Sequence, residues 1–325
     1  MSTNWYSPGL KIGCMKGQLD VVRAQLAAGQ DPNVGWTKNG APLPSPSPLH
    51  DAACWGHEAV CRLLLEHGAD PNIVADGRAT PIHYACSDEE IRCPPSIATL
   101  LLDFGADIDA TDGLGRTPLM HACWTSTSNV ELVRLLLDRG ANILKGIPST
   151  PLWVAVDAGK VEVARLLLQH GAPADIGFDP SHPPRPSRTL NSCGMDTAFV
   201  TPLYHRLRQN GTYPTLPSAR AGVSIARLLL AHGASFDREH RVFDRQSGDF
   251  SRVVRVETPL SLVRSISPAM GGIMRELNAL FDSYLQHYWR LRVKLRVFGP
   301  VSEHLLDLHL APYVIGDGVL SKKRS

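Results

Sequence analysis

Histidine, aspartate and cysteine are the side chains here that could do chemistry, and their spacing tests whether they do. His182 lies in one irregular stretch, His240 and Asp244 in another, and His205 between them. They would be the signature of an enzyme pocket if folding brought them together, as acid–base work needs groups within hydrogen-bond reach. No Gly-x-Ser-x-Gly elbow, His-Glu-x-x-His helix or Walker loop accompanies them. The glycines of "DGLGRT" (112–117) follow no buried strand and read as a hairpin tip. His50 and His83 share one slot of a recurring phrase, and His67, His170 and His232 share another. Recurrence explains them better than a metal does. Cys14, Cys86 and Cys123 share a third slot, where a small buried side chain packs. The seven cysteines are an odd number without Cys-x-x-Cys spacing, which argues against a disulfide framework or zinc ribbon. No catalytic, cofactor or metal residue is assigned, and the chain is expected not to be an enzyme.

A second chemistry would be phosphate binding by "WRLRVKLRVF" (Trp289–Phe298), which alternates apolar and basic residues. Tested against both periods, the alternation spans ten residues, whereas a helical stripe from Ile273 to Phe298 spans twenty-six. The helix is therefore expected, with Gly299-Pro300 as its stop. On it Arg290 and Lys294 lie nearly opposite Arg292 and Arg296, so no single basic groove forms. A net charge of +2 likewise excludes a general polyanion binder.

These residues are positioned by a repeat. "RLLLEHGAD" (62–70), "TLLLDFGAD" (99–107), "RLLLDRGAN" (134–142), "RLLLQHGAP" (165–173) and "RLLLAHGAS" (227–235) are five copies of one phrase. Before each stands "SPLHDAA" (47–53), "TPIHYAC" (80–86), "TPLMHAC" (117–123), "TPLWVAV" (150–156) or "TPLYHRL" (201–207). Ser47 to Thr80 and Thr117 to Thr150 are both 33 residues. Thr or Ser is an N-cap and Pro suits the first helical position, so each phrase opens a helix. A second helix follows, its leucines buried and its end marked by Gly68, Gly105, Gly140, Gly171 or Gly233. One such pair cannot bury its own apolar face; stacking does, at roughly 1.5–3 kcal/mol per fully buried Leu.

The phrase and its period resemble the ankyrin repeat. The resemblance covers residues 8 to about 285 and implies an all-α solenoid of stacked helix pairs with β-hairpin or loop tips, about six to seven repeats including degenerate ends. Residues 1–34 form an N-terminal capping repeat, with Lys11, Lys16, Gln18 and Gln25 where middle repeats are more apolar. Residues 35–285 are the array, with long inserts at 178–200 and 238–257, and 286–325 a C-terminal helical closure and basic tail. The second insert is expected to form a hairpin about Ser247-Gly248. Within the first, Pro183, Pro186 and Arg188 fit a Pro-x-x-Pro-x-Arg ligand of SH3 domains.

Ankyrin arrays usually bind along the concave side, on hairpin tips and the exposed ends of first helices. Carried over by position, this implies Trp55, Arg78, Asp88, Leu114, Arg116, Trp124 and Asp157 as partner-binding residues. Tryptophan is enriched at interface hot spots, so Trp55 and Trp124 lead that set. The resemblance implies a protein–protein interaction module, an adaptor or regulator such as a transcription coregulator, with no direct contact to nucleic acid or membrane. A second reading is a substrate receptor recruiting a ubiquitin ligase through its C-terminal region, although the Leu-Cys pattern of such receptors is missing after residue 285. The third is the enzyme pocket above. The start lacks a secretory signal pattern, so cytoplasm or nucleus is the expected location.

Overall fold

The computed structural model describes residues 8–33, 37–38, 41–42, 46–87, 94–124, 130–146, 149–175, 201–203, 206, 216–236, 240–243, 253–259, 276, 278–286, 315–316 and 319–320. The chain divides into two compact units, Met1–Ile147 and Pro148–Ser325, a division that falls inside the stretch read as one array.

The first unit is four helix pairs: α1 (Pro8–Lys16) with α2 (Leu19–Ala27), α3 (Pro48–Cys54) with α4 (Glu58–Glu66), α5 (Pro81–Cys86) with α6 (Pro95–Asp103), and α7 (Pro118–Trp124) with α8 (Val130–Asp138). First helices stack in the row α1, α3, α5, α7 and second helices in the row α2, α4, α6, α8. Between them lies one continuous apolar layer that includes Leu49, Leu64, Ile82, Ile97, Leu101, Leu119 and Leu136, all fully buried. The leucine triplets do more than line one face: Leu63, Leu64 and Leu65 of α4 are all buried, because the helix is covered by its own partner and by both neighbours in its row. At the N-terminal end Lys16 and Gln18 are exposed as a polar cap requires, while Ile12 and Val21 remain exposed too.

The caps follow the sequence chemistry. Ser47, Thr80 and Thr150 are extended N-cap residues, each followed by Pro at the first helical position. The glycines after the second helices have φ between +83° and +88°. At Gly105 a Cβ would meet nothing within 4 Å, so its backbone angle and not space requires glycine.

In the second unit α9 (Pro151–Asp157) packs on α10 (Val161–Gln169), and α10 on α11 (Leu216–Ala231). Residues 278–286 are helical, with Leu280 and Phe281 buried. The hairpin expected in the second insert forms: β3 (His240–Phe243) pairs antiparallel with β4 (Val253–Glu257). Two shorter antiparallel pairs join β1 (Thr37–Lys38) to β2 (Ala41–Pro42) and β5 (Ile315–Gly316) to β6 (Val319–Leu320). The expected helix across Trp289–Phe298 lies outside the described residues.

Candidate protein-binding face

The hairpin tips of the first unit are held by a histidine device. The Ser47 backbone N–H donates to His50 Nδ1 at 3.0 Å, so that nitrogen carries the lone pair. Nε2–H is then the donor to the Ala79 carbonyl at 3.1 Å, which belongs to the next tip. Thr80 N–H, His83 and the Arg116 carbonyl repeat the arrangement at 3.1 and 3.1 Å. Each imidazole closes the cap of its own helix and pins the hairpin that follows. Burial first of all depresses both rings, to about 4, which keeps them neutral at pH 7 as this bonding requires.

Two successive tips have the same closure. Ala75 N–H donates to Ala79 O and Arg78 N–H to Ala75 O; Asp112 N–H donates to Arg116 O and Gly115 N–H to Asp112 O. Arg78 therefore occupies the position of Gly115, and both have positive φ, 59° and 78°. For a residue with a Cβ that conformation costs roughly 1–2 kcal/mol. Gly113 N–H donates to Gly77 O, tying the tips together. A Cβ on Gly113 would stand 2.8 Å from that oxygen, so close approach excludes any other residue.

Asp112 anchors the second tip. It accepts Leu114 N–H and Arg116 N–H at 2.9 Å each, Arg116 Nε–H at 2.8 Å, and lies 3.1 Å from His121 Nε2. Burial alone would raise its pKa, but the bonds from His121 and Arg116 prevail and hold the carboxyl well below the usual range. The loops before the tips form a second ladder. Asn33 donates to Gly68 O and accepts Asp70 N–H; Asn72 does the same with Gly105 O and Asp107 N–H. Asp109, lacking the amide donor, only accepts Asn142 N–H.

On this scaffold Trp55, the C-cap of α3, is 37% exposed, and Trp124, the last residue of α7, is 49% exposed. Leu114 is 45% exposed at the tip. Arg78 is exposed, and among the described residues nothing hydrogen-bonds its guanidinium. Arg116 is exposed along part of its side chain but has its Nε committed to Asp112. Asp88 lies outside the described residues, as do Pro183, Pro186, Arg188, His182, His205 and Asp244; His240 is the first residue of β3. Asp157, in the second unit, is half-buried and its charge faces the buried Arg206, whose pKa burial pulls down and Asp157 pulls up.

Sequence reasoning missed three features of the tips: the exposed Val74, the exposed Leu144 with Lys145, and the Asp112 anchor. Aspartate, arginine four residues on and histidine nine on are visible in "DGLGRTPLMH", but their convergence depends on the turn.

The remaining reactive groups have structural roles. His67, His170 and His232 each place Nδ1 within 2.8–2.9 Å of the carbonyl four residues back, capping a helix end. Cys14, Cys86 and Cys123 are buried, and burial, then the Asp51 charge, pushes the Cys14 thiol up to about 12. Among the described residues no group of three His, Cys, Asp or Glu could hold a metal ion, and no helix is long and apolar enough to cross a membrane.

Comparison with known proteins agrees with this geometry. The chain is 35% identical over 130 residues to the human ankyrin repeat and SOCS box protein 11, covering 39% of this chain and 38% of that protein. To the human ankyrin repeat and SOCS box protein 6 it is 31% identical over 191 residues, 50% of this chain and 42% of that one. It is 38% identical over 111 residues to the Drosophila melanogaster transient receptor potential channel pyrexia, 34% of this chain and 11% of the channel. The chain thus spans less than half the length of each. The crystal structure of the human ASB11 ankyrin repeat domain superposes with a TM-score of 0.56 at 26% identity, covering 85% of this chain and 98% of that one. The ankyrin repeat model matches in three overlapping copies, residues 10–112, 49–147 and 90–178, just over half the chain; the chain belongs to the ankyrin repeat family, whose repeats mediate protein–protein interaction.

Proposed function

We propose that this chain is a non-enzymatic adaptor or regulator that holds a protein partner on the rim of its first unit, in the cytoplasm or nucleus. The observation that carries this is the exposure of Trp55 and Trp124 on the row of first helices, two repeats apart. Leaving large aromatic surface in water forgoes burial that the apolar layer beside it achieves everywhere else. Trp55→Ser with Trp124→Ser, melting as the wild type does, should lose a specific partner in affinity capture with mass spectrometry. An unchanged partner set would sink the reading. Action as a transcription coregulator is the finer role within it, and a captured transcription factor would support that.

The relatives named for a SOCS box favour a second reading, a substrate receptor that recruits a ubiquitin ligase through residues 286–325. Deleting those residues would then remove co-purifying ligase subunits and leave substrate capture intact. Loss of neither would dismiss this second reading.

A further inference from the structure

Resting on the reading that the first unit holds a protein partner, we infer that its hairpin tips receive an extended acidic segment whose acidic and apolar residues recur about every third position. Each successive connection of the unit pairs an exposed apolar side chain with an exposed cation: Val74 with Arg78, Leu114 with Arg116, Leu144 with Lys145. The row is preorganised. His50 and His83 pin the first two tips, and the Gly113 N–H bond to Gly77 O joins them, so a partner meets a fixed set of groups and little ordering opposes binding.

Arg78 is the most telling of the six. It stands in a left-handed position that the equivalent Gly115 fills without strain. No described residue hydrogen-bonds its guanidinium, so none of them accounts for an arginine there. Strain kept at an exposed position points to a ligand outside the fold. The nearby acids are largely committed. Asp112 is buried on Arg116 and His121, and Asp70 and Asp107 accept the N–H groups of Asn72 and Asp109. Asp76 is two residues before Arg78 in sequence.

The spacing selects the backbone of the occupant. Stacked helices lie about 8–10 Å apart, and an extended chain of the polyproline II kind has three residues per turn and rises about 3.1 Å per residue. Carboxylates at every third residue of such a chain therefore return to one face about 9 Å apart, the step between successive connections. The apolar residues between the cations favour a peptide over a phosphate backbone.

The test is fluorescence anisotropy of the full chain with a labelled (Asp-Leu-Ser)4 peptide. It should bind at least tenfold tighter than (Asn-Leu-Ser)4 or (Asp-Ser-Ser)4. Arg78→Glu with Lys145→Glu should weaken it at least tenfold and prefer (Lys-Leu-Ser)4 instead. Arg78→Gly should weaken it severalfold while melting no lower than the wild type, and Asp76→Asn should bind at least as well. No binding, equal binding of the three peptides, or equal displacement by a single-stranded DNA oligonucleotide in wild type and Leu114→Ser would overturn the inference. A partner captured by wild type, lost with the tryptophan pair but kept by Arg78→Glu/Lys145→Glu, would also overturn it while leaving the proposed function standing.

Discussion

The two units are built on one apolar plan but differ in their polar devices. In residues 1–147 the histidine clamp and the Asn/Asp ladder both recur, at His50 and His83 and at Asn33, Asn72 and Asp109. In residues 148–325 the histidine slot holds Trp153 and then Tyr204, and the ladder bond described is that of Asp175 with Ser235 N–H at 2.8 Å. Arg206, 3% exposed, stands where the other repeats place Ala52, Ala85, Ala122 and Ala155. Leucine burial is enough to stack helices in both units. Fixing the tips needs side chains that bond across a repeat boundary, and among the described residues the first unit shows them at successive tips.

The largest effect should come from breaking a clamp. His83→Ala leaves the Thr80 N–H and the Arg116 carbonyl without this partner in a buried setting, at about 2–4 kcal/mol in chemical denaturation. Met120 fills the same slot in the next repeat and is buried without a clamp; Met120→Leu should cost less than about 1.5 kcal/mol. Equal costs would erase the distinction between clamped and unclamped repeats.

Acid should act on the same device. His50 and His83 have folded values near 4 against about 6.5 in an open chain. The unfolded chain then binds more protons between those values, so stability falls as pH drops from about 6.5 to 4, by on the order of 3 kcal/mol per ring at most. Asp112 acts with the same sign in a lower window: its depressed carboxyl contributes above the ordinary aspartate range and is lost as pH falls through and below it. Thermal melts from pH 7 to 4 should therefore decline in wild type and flatten in His50→Gln/His83→Gln. A flat wild-type profile would remove the clamp from the account.

How much of this was legible varied with the range of each contact. Helices, caps and terminating glycines depend on neighbours within a turn, and "TPIHYAC" with "LLLDFGAD" contains all of them. The shared slot of His50 and His83 was equally visible, but its task involves carbonyls of the following tip. The pairing at Asp157 was hidden for another reason. Its counter-charge, Arg206, comes from beyond an insert of irregular length, so no spacing rule could bring the two together. Trp55 and Trp124 sit at helix ends where one residue of register decides burial, and there position within the repeat was a sound guide.

A smaller test belongs to the second unit. Asp157→Asn removes the charge opposing buried Arg206 and should cost about 1–2 kcal/mol, less than a fully buried pair because Asp157 is half-exposed. The same change at Asp103, whose bridge to Arg139 is exposed, should cost under about 1 kcal/mol. If the two matched, Arg206 would not be held by this charge.

The smallest effect is also the sharpest, because it sets two tips of one unit against each other. Ala75–Ala79 and Asp112–Arg116 close with the same pair of backbone bonds, and they differ at the third residue, Gly77 with φ 71° against Leu114, and at the fourth, Arg78 against Gly115. Arg78→Gly relieves a left-handed side-chain penalty of about 1–2 kcal/mol but adds freedom to the unfolded chain worth about 0.4–1 kcal/mol. The balance should stabilise by a few tenths to about 1 kcal/mol. Gly115→Arg imposes the reverse and should destabilise by a similar amount. Opposite signs would establish that the two tips obey one backbone rule and that Arg78 is kept against it, which is what a residue retained for a partner should do. Destabilisation in both would mean that Arg78 supports its own tip, and the contrast between clamped fold and exposed binding residue would have to be redrawn there.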